Sequence, residues 1–239
     1  MLSLTALPAP ARCRAACLRQ AGPWPALRRG RQLLLTALLA GLCLWSQALD
    51  SNRLLEIAAG RSAKAQAGAR ALMQMLEKAQ GLDEEGRLAA VNDFYNRRIQ
   101  FRDDQEVWGV VDYWASPLET LEKGRGDCED YAIAKYFSLL ALGLEPAQLR
   151  LVYVRAMLDG RPQAHMVLAY YAQPQSEPLI LDNLQTQVRP ASARTDLSPV
   201  FSFNSEGLWS GVAGAPAGNP TTRLSQWRDA LGKARAEGF

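Results

Sequence analysis

Residues 124–143 read GRGDCEDYAIAKYFSLLALG, and the fold turns on how this stretch is read. A turn with two glycines, Gly124-Arg125-Gly126, leads into Asp127-Cys128-Glu129-Asp130. Behind it, Ile133, Phe137, Leu140 and Leu144 recur at intervals of four, three and four, the spacing of one buried helix stripe, and Gly143 terminates it. Cys128 therefore stands at or just before a helix N-terminus. Unpaired N–H groups and the helix dipole favour negative charge there, and so favour thiolate over thiol.

Upstream of this stretch the chain reads as helix. Ser116-Pro117-Leu118-Glu119 supplies an N-cap, a first-turn proline and a capping-box acid, and Gly124 ends that short helix. Asp83 caps another, whose core face is Leu88, Val91, Phe94, Tyr95 and Ile99. Residues 50–80 are rich in helix formers, with Gly60 and Gly68 as weak points and Gly81 as the stop. Residues 101–114 (FRDDQEVWGVVDYW) are expected as a loop with a short element.

Downstream, Leu149–Met157, His165–Tyr171 and Pro178–Leu184 read as strands between turn residues. Residues 198–222 are expected as loop, and Leu224–Ala236 as a closing amphipathic helix. Helices come first and strands later, with no repeat or linker between them. The expectation is one α+β domain over residues 49–239, its N-terminal helices packed on an antiparallel sheet.

Residues 1–48 read as an address. Six arginines and no acid precede Leu33–Trp45, thirteen residues of apolar character, and Ser46-Gln47-Ala48 offers small residues at a cleavage site. That is the pattern of a secretory signal peptide. An uncleaved signal anchor is the alternative, although the apolar run is shorter than the roughly 20 residues that span a bilayer. Without the leader, 21 basic residues face 24 acidic ones, a net charge of −3. No clustered basic footprint for nucleic acid remains. Cys13, Cys17 and Cys43 leave with the leader, so Cys128 stays unpaired in a compartment that oxidises thiols.

A thiolate nucleophile needs a base, and the chain's one histidine is His165. On a strand, His165 shares a face with Val167 and Ala169, away from Met166 and Leu168. Asp182, at the end of an apolar strand, is the acid available to orient the imidazole. Cys128, His165 and Asp182 thus form an ordered nucleophile, base and orienter. Each has a blander reading: an inert core thiol, a satisfied core histidine, a turn aspartate.

The string Trp114–Phe137 (WASPLETLEKGRGDCEDYAIAKYF), with His165-Met166-Val167-Leu168 and Leu181-Asp182-Asn183-Leu184, resembles the bacterial transglutaminase-like cysteine proteinases over roughly residues 85–190. Within that family it is similar to the periplasmic type that processes adhesins. The resemblance implies a papain/transglutaminase-like fold with Cys128, His165 and Asp182 as the triad. It implies cleavage of a large repeat-containing surface adhesin near its N-terminus, at a paired-alanine site, which releases the adhesin and disperses a biofilm. It also implies an inhibitory partner, the periplasmic domain of an inner-membrane cyclic di-GMP receptor.

The acids beside Cys128 oppose its ionisation, because Asp127, Glu129 and Asp130 disfavour another negative charge nearby. A hard divalent cation with oxygen ligands would remove that penalty. The resemblance implies calcium dependence, with ligands that match Asp127 and Glu129; Asp130 is a further candidate, and Asp103-Asp104 a more distant acidic pair. Alternatively, acids in a first helical turn simply complement the dipole.

Two other functions fit the same residues. One is protein-glutamine acyl transfer (transglutamination), with a lysine amine replacing water. The other is a non-catalytic exported binding protein, with Cys128 as a redox or tethering thiol. Trp114 is either an oxyanion donor or a core residue. Trp108, Trp209 and Trp227 either line a docking surface or pack inside.

Overall fold

Helices α1 (Ser51–Arg61) and α2 (Ala63–Gln80) take up the alanine-rich start of the domain. The computed structural model describes residues 49–211 and 214–239, so the leader read over residues 1–48 lies outside the described residues. The break between the helices falls at Ser62 and not at a glycine: its backbone is extended and its side chain caps α2, accepting from the Ala65 N–H at 3.1 Å.

Gly68 is a point of close approach, not a weak point. It meets α5 (Pro117–Lys123), where an added Cβ would lie 2.8 Å from Leu121 Cβ and 3.3 Å from its carbonyl oxygen. Alanine is the better helix former by up to about 1 kcal/mol. Overpacking against unyielding backbone costs about 1–3 kcal/mol. Gly68→Ala is therefore expected to lower the urea midpoint of unfolding; a midpoint at or above wild type would show that α2 and α5 separate freely.

Helix α3 (Glu84–Arg98) is capped by Asp83, which accepts from the Gly86 N–H at 2.9 Å, and it buries Leu88, Val91, Asn92 and Tyr95. The ambiguous stretch holds a four-residue helix, α4 (Asp104–Val107). Both halves of the α5 capping box form, and Gly124 closes that helix in the left-handed region at φ 62°. Strands β1 (Gln100–Phe101) and β2 (Arg125–Gly126) pair in parallel, tying the approach to Cys128 to the end of α3.

Helix α6 (Cys128–Ala141) is central. Every residue from Asp130 to Leu139 is buried, far more than one stripe, because helices cover one side and the sheet the other. The sheet comprises β3 (Leu149–Leu158), β4 (Arg161–Tyr170), β5 (Leu179–Leu181), β6 (Arg189–Pro190), β7 (Leu197–Phe203), β8 (Leu208–Ser210) and β9 (Pro216–Gly218). The order is β6-β5-β4-β3-β7-β8-β9, antiparallel throughout. The α+β architecture, with N-terminal helices against an antiparallel sheet, is the one expected.

Residues 198–222 are not a loop, which corrects the sequence expectation. Their described residues fall largely in β7, β8, β9 and α7 (Pro220–Arg223). Their proline-, serine- and glycine-rich sequence carries no clear alternation; the strand is imposed by main-chain pairing with β3, as in Leu151↔Phe203 and Val152↔Ser202. Leu151, Met166, Leu168, Leu181 and Phe203 join the large core on the helical side of the sheet. Val152, Val154, Val167, Ala169 and Ile180 form a smaller cluster. Helix α8 (Ser225–Glu237) seals the core through Trp227, fully buried and edge-on to Phe203 at 5.4 Å.

Candidate active site

Cys128 is the first residue of α6, and Asp127 is its N-cap. Asp127 makes no side-chain capping bond, although capping is the usual task of an aspartate there. The turn before it is very tight. A Cβ on Gly126 would collide with Asp130, so only glycine lets Asp130 fold back under the strand.

The Cys128 thiol is partly exposed and donates to Glu129 Oε2 at 3.0 Å. The Met166 N–H is also directed at the sulfur. β5 pairs only with Leu168–Tyr170, so the edge of β4 at Met166 is not covered by β5 and the helix N-terminus docks there. Met166 directly follows His165, which places the thiol beside the strand that carries the imidazole.

His165 and Asp182 meet for reasons of register. Leu181 is opposite Leu168, so Asp182 continues to the position across from Val167, diagonal to His165 on the same face. Asp182 Oδ1 lies 2.8 Å from His165 Nε2 and also accepts the Leu184 N–H at 3.0 Å. Arg194 Nη2 donates to Oδ2 at 2.7 Å. Both residues of the pair are buried. Burial alone would push the Asp182 carboxyl up, but the bonds from His165, Leu184 and Arg194 prevail and bring it down to about 2. A carboxylate fixed as an anion at Nε2 keeps the proton on that nitrogen and leaves the Nδ1 lone pair free to act as a base.

On the other side of Cys128 lies an acidic cluster. Ligand oxygens of Asp104, Asp127 and Asp130 lie within 4.8 Å of one another, as do those of Asp104, Asp112 and Glu129. Asp130 Oδ1 accepts the Ala115 N–H at 2.8 Å, and Asp104 Oδ2 accepts the Tyr113 N–H. Their remaining oxygens (Asp104 Oδ1, Asp130 Oδ2), with Asp127 Oδ1, are buried without a hydrogen-bond partner.

Burial first, and the neighbouring acids next, raise the Asp127 carboxyl to about 10, and burial raises Asp130 well above its usual range against the Ala115 N–H bond, with Glu129 and Asp104 adding to the rise. Burial also raises Asp104 to about 6, against the Tyr113 bond. Burial and then Glu129 push the Cys128 thiol well above its ordinary value, outweighing the Met166 N–H. Three clustered acids that each bury a carboxylate oxygen without a partner are costly unless a cation joins them. The donor set, all hard oxygen, fits calcium.

Among the sequence candidates, Asp127, Glu129 and Asp130 all belong to this cluster, and Asp104 joins it while Asp103 belongs to none of the metal-capable groups among the described residues. Asp112 was missed; its only signal was being an acid in the 101–114 stretch, and α4 brings that stretch back to the α6 N-terminus. Arg194 was missed too, since it lies where helical and strand signals fade. The Trp114 indole donates to Asp112 Oδ1 at 3.0 Å and the ring stacks on Phe203 at 5.6 Å, so that N–H is committed. Trp227 is core, while Trp108 and Trp209 are half-buried, against Tyr113 and Arg150 respectively.

Comparison with known proteins bears on the family and the fold. The bacterial transglutaminase-like cysteine proteinase family (BTLCP) matches residues 62–201. Legionella pneumophila LapG superposes with a TM-score of 0.67 at 35% identity, covering 78% of this chain and 98% of that one. Its EGTA-treated form gives 0.69 at 35% over the same shares. Its calcium-bound form gives 0.66 at 36%, covering 77% and 98%. No curated protein matches the chain. With its family matched over more than half its length and its fold shared with LapG, the chain belongs to the bacterial transglutaminase-like cysteine proteinases and is a cysteine protease.

Proposed function

We propose that the protein is an exported, calcium-dependent endopeptidase of the periplasm that cuts the N-terminal region of a large repeat-containing surface adhesin. Release of the adhesin would let a biofilm disperse. The periplasmic domain of an inner-membrane cyclic di-GMP receptor would hold the protease in check. The observation that carries the catalytic reading is the His165–Asp182 pair on the strand whose next amide reaches the Cys128 sulfur. The arginine-rich, acid-free leader followed by an apolar run supports export. The likeness to LapG, which is known in a calcium-bound form, supports the ion.

In this reading His165 Nδ1 takes the thiol proton, and the thiolate attacks the scissile carbonyl. The Cys128 N–H at the start of α6 donates to the oxyanion. Collapse gives a thioester as His165 returns the proton to the leaving amine, and water then hydrolyses the thioester with His165 again as base. Asp104, Asp127 and Asp130, with Asp112 and Glu129 beside them, would hold calcium, which supplies when bound the positive charge that these acids need next to a thiolate.

Incubating the purified protein with the N-terminal region of a co-encoded adhesin, in calcium, is expected to give two fragments whose masses sum to substrate plus one water. A cross-linked product, or an intact chain lighter by about 17 Da from lost ammonia, would instead establish glutamine acyl transfer.

A further inference from the structure

Asp182 lies one residue beyond the last ladder pair of β5, so sheet pairing no longer holds its backbone. Side-chain bonds take over. Its carbonyl oxygen accepts from Asn96 Nδ2 at 2.7 Å, and its Oδ2 accepts from Arg194 Nη2 at 2.7 Å. Arg194, in the link between β6 and β7, is only 4% exposed. It is braced in turn by Asp196, through Nε to Oδ1 at 3.0 Å and Nη2 to Oδ2 at 2.8 Å. Asp196 grips the Nε–Nη2 edge of the planar guanidinium with two bonds, which aims the other Nη2 hydrogen at Asp182 Oδ2, a direction that a flexible ammonium does not hold.

We propose that Arg194 is a positioning residue for proteolysis: by holding Asp182 Oδ2 it keeps Oδ1 directed at His165 Nε2. This rests on Asp182 being the orienter of the base. Without Arg194 the carboxyl can turn about its own axis and still satisfy itself through the Leu184 N–H. The imidazole would then lose its alignment toward Cys128, while the substrate cleft, which Arg194 does not line in this reading, would be unchanged. The effect belongs in kcat and not in KM.

The test compares Arg194→Gln, Arg194→Lys and Asp182→Asn by thermal melting and steady-state cleavage in saturating calcium. Folded Arg194→Gln is expected to lose tenfold or more in kcat with KM within twofold. Arg194→Lys should recover part of that loss, since it keeps the charge but cannot bridge Asp182 and Asp196 together. Folded Arg194 variants with wild-type kcat, beside an Asp182→Asn enzyme that is strongly impaired, would overturn the role of Arg194 alone. Wild-type kcat in Asp182→Asn would overturn the orienter itself. If neither Arg194 variant folds, Asp196→Asn decides: it removes only the brace at a more exposed carboxylate, a loss of kcat is expected, and unchanged kcat counts against the proposal.

Discussion

Replacing Cys128 by alanine is expected to bring peptide cleavage to background, a fall on the order of 10⁴-fold or more, because no chemistry replaces the nucleophile. Stability should change by no more than about 1 kcal/mol. The thiol is partly exposed, and its removal strands no buried charge: the Glu129 carboxylate that accepts from it is itself not fully buried. His165→Ala should be comparably inactive, since the chain holds no other imidazole to substitute as base. The readout is cleavage of the adhesin fragment alongside a thermal melt of each variant. Proteolysis by folded Cys128→Ala at the wild-type rate would sink the assignment of the nucleophile.

Chelation is the second large effect. Removing calcium should stop cleavage, and adding it back should restore cleavage. At a hundredfold excess over Kd the ion contributes about 2.7 kcal/mol, roughly 5–10 °C in Tm for a domain of this size. The pH dependence has an unusual sign. Asp104 is raised to about 6 and Asp127 to about 10, against values near 3.8 in the unfolded chain. In chelator the folded protein thus binds protons that the unfolded chain has released. The contribution of these two groups to stability is fullest below about pH 4 and declines as pH rises through 6 toward 10, whereas that of Asp182, lowered to about 2, is lost on acidification below about pH 4.

The Tm in chelator should therefore fall between pH 5 and 8. Calcium competes with those protons, so its stabilisation should be larger at pH 8 than at pH 5. Asp127→Asn should melt higher than wild type in chelator at pH 8 and gain less from calcium. Full cleavage in chelator, with no calcium-dependent shift in Tm, would remove the ion from the account.

The helical half of the fold was legible because its signals are local. The capping box at Ser116 and the Asp83 cap each lie within one helical turn, and the Ile133–Leu144 spacing covers about three. The edge half of the sheet was not legible. Strand β7 owes its conformation to pairing with β3, some fifty residues away in the chain, β8 pairs in turn with β7 and β9 with β8, and Pro199, Ser202 and Gly218 carry no periodic signal of their own.

The split in the site follows the same physics. Taken alone, the amino-acid order determined that one thiol would sit at a helix start among acids, with one imidazole and one carboxylate following on strands, because composition and short-range spacing depend only on the local chain. Tertiary structure decided the rest. The diagonal register of β4 and β5 joined His165 to Asp182, α4 brought Asp104 and Asp112 to the α6 N-terminus, and the link after β6 delivered Arg194 to the far oxygen of Asp182. Those contacts link residues 12 to 26 positions apart, and their geometry is set by packing of whole elements, which no local periodicity encodes.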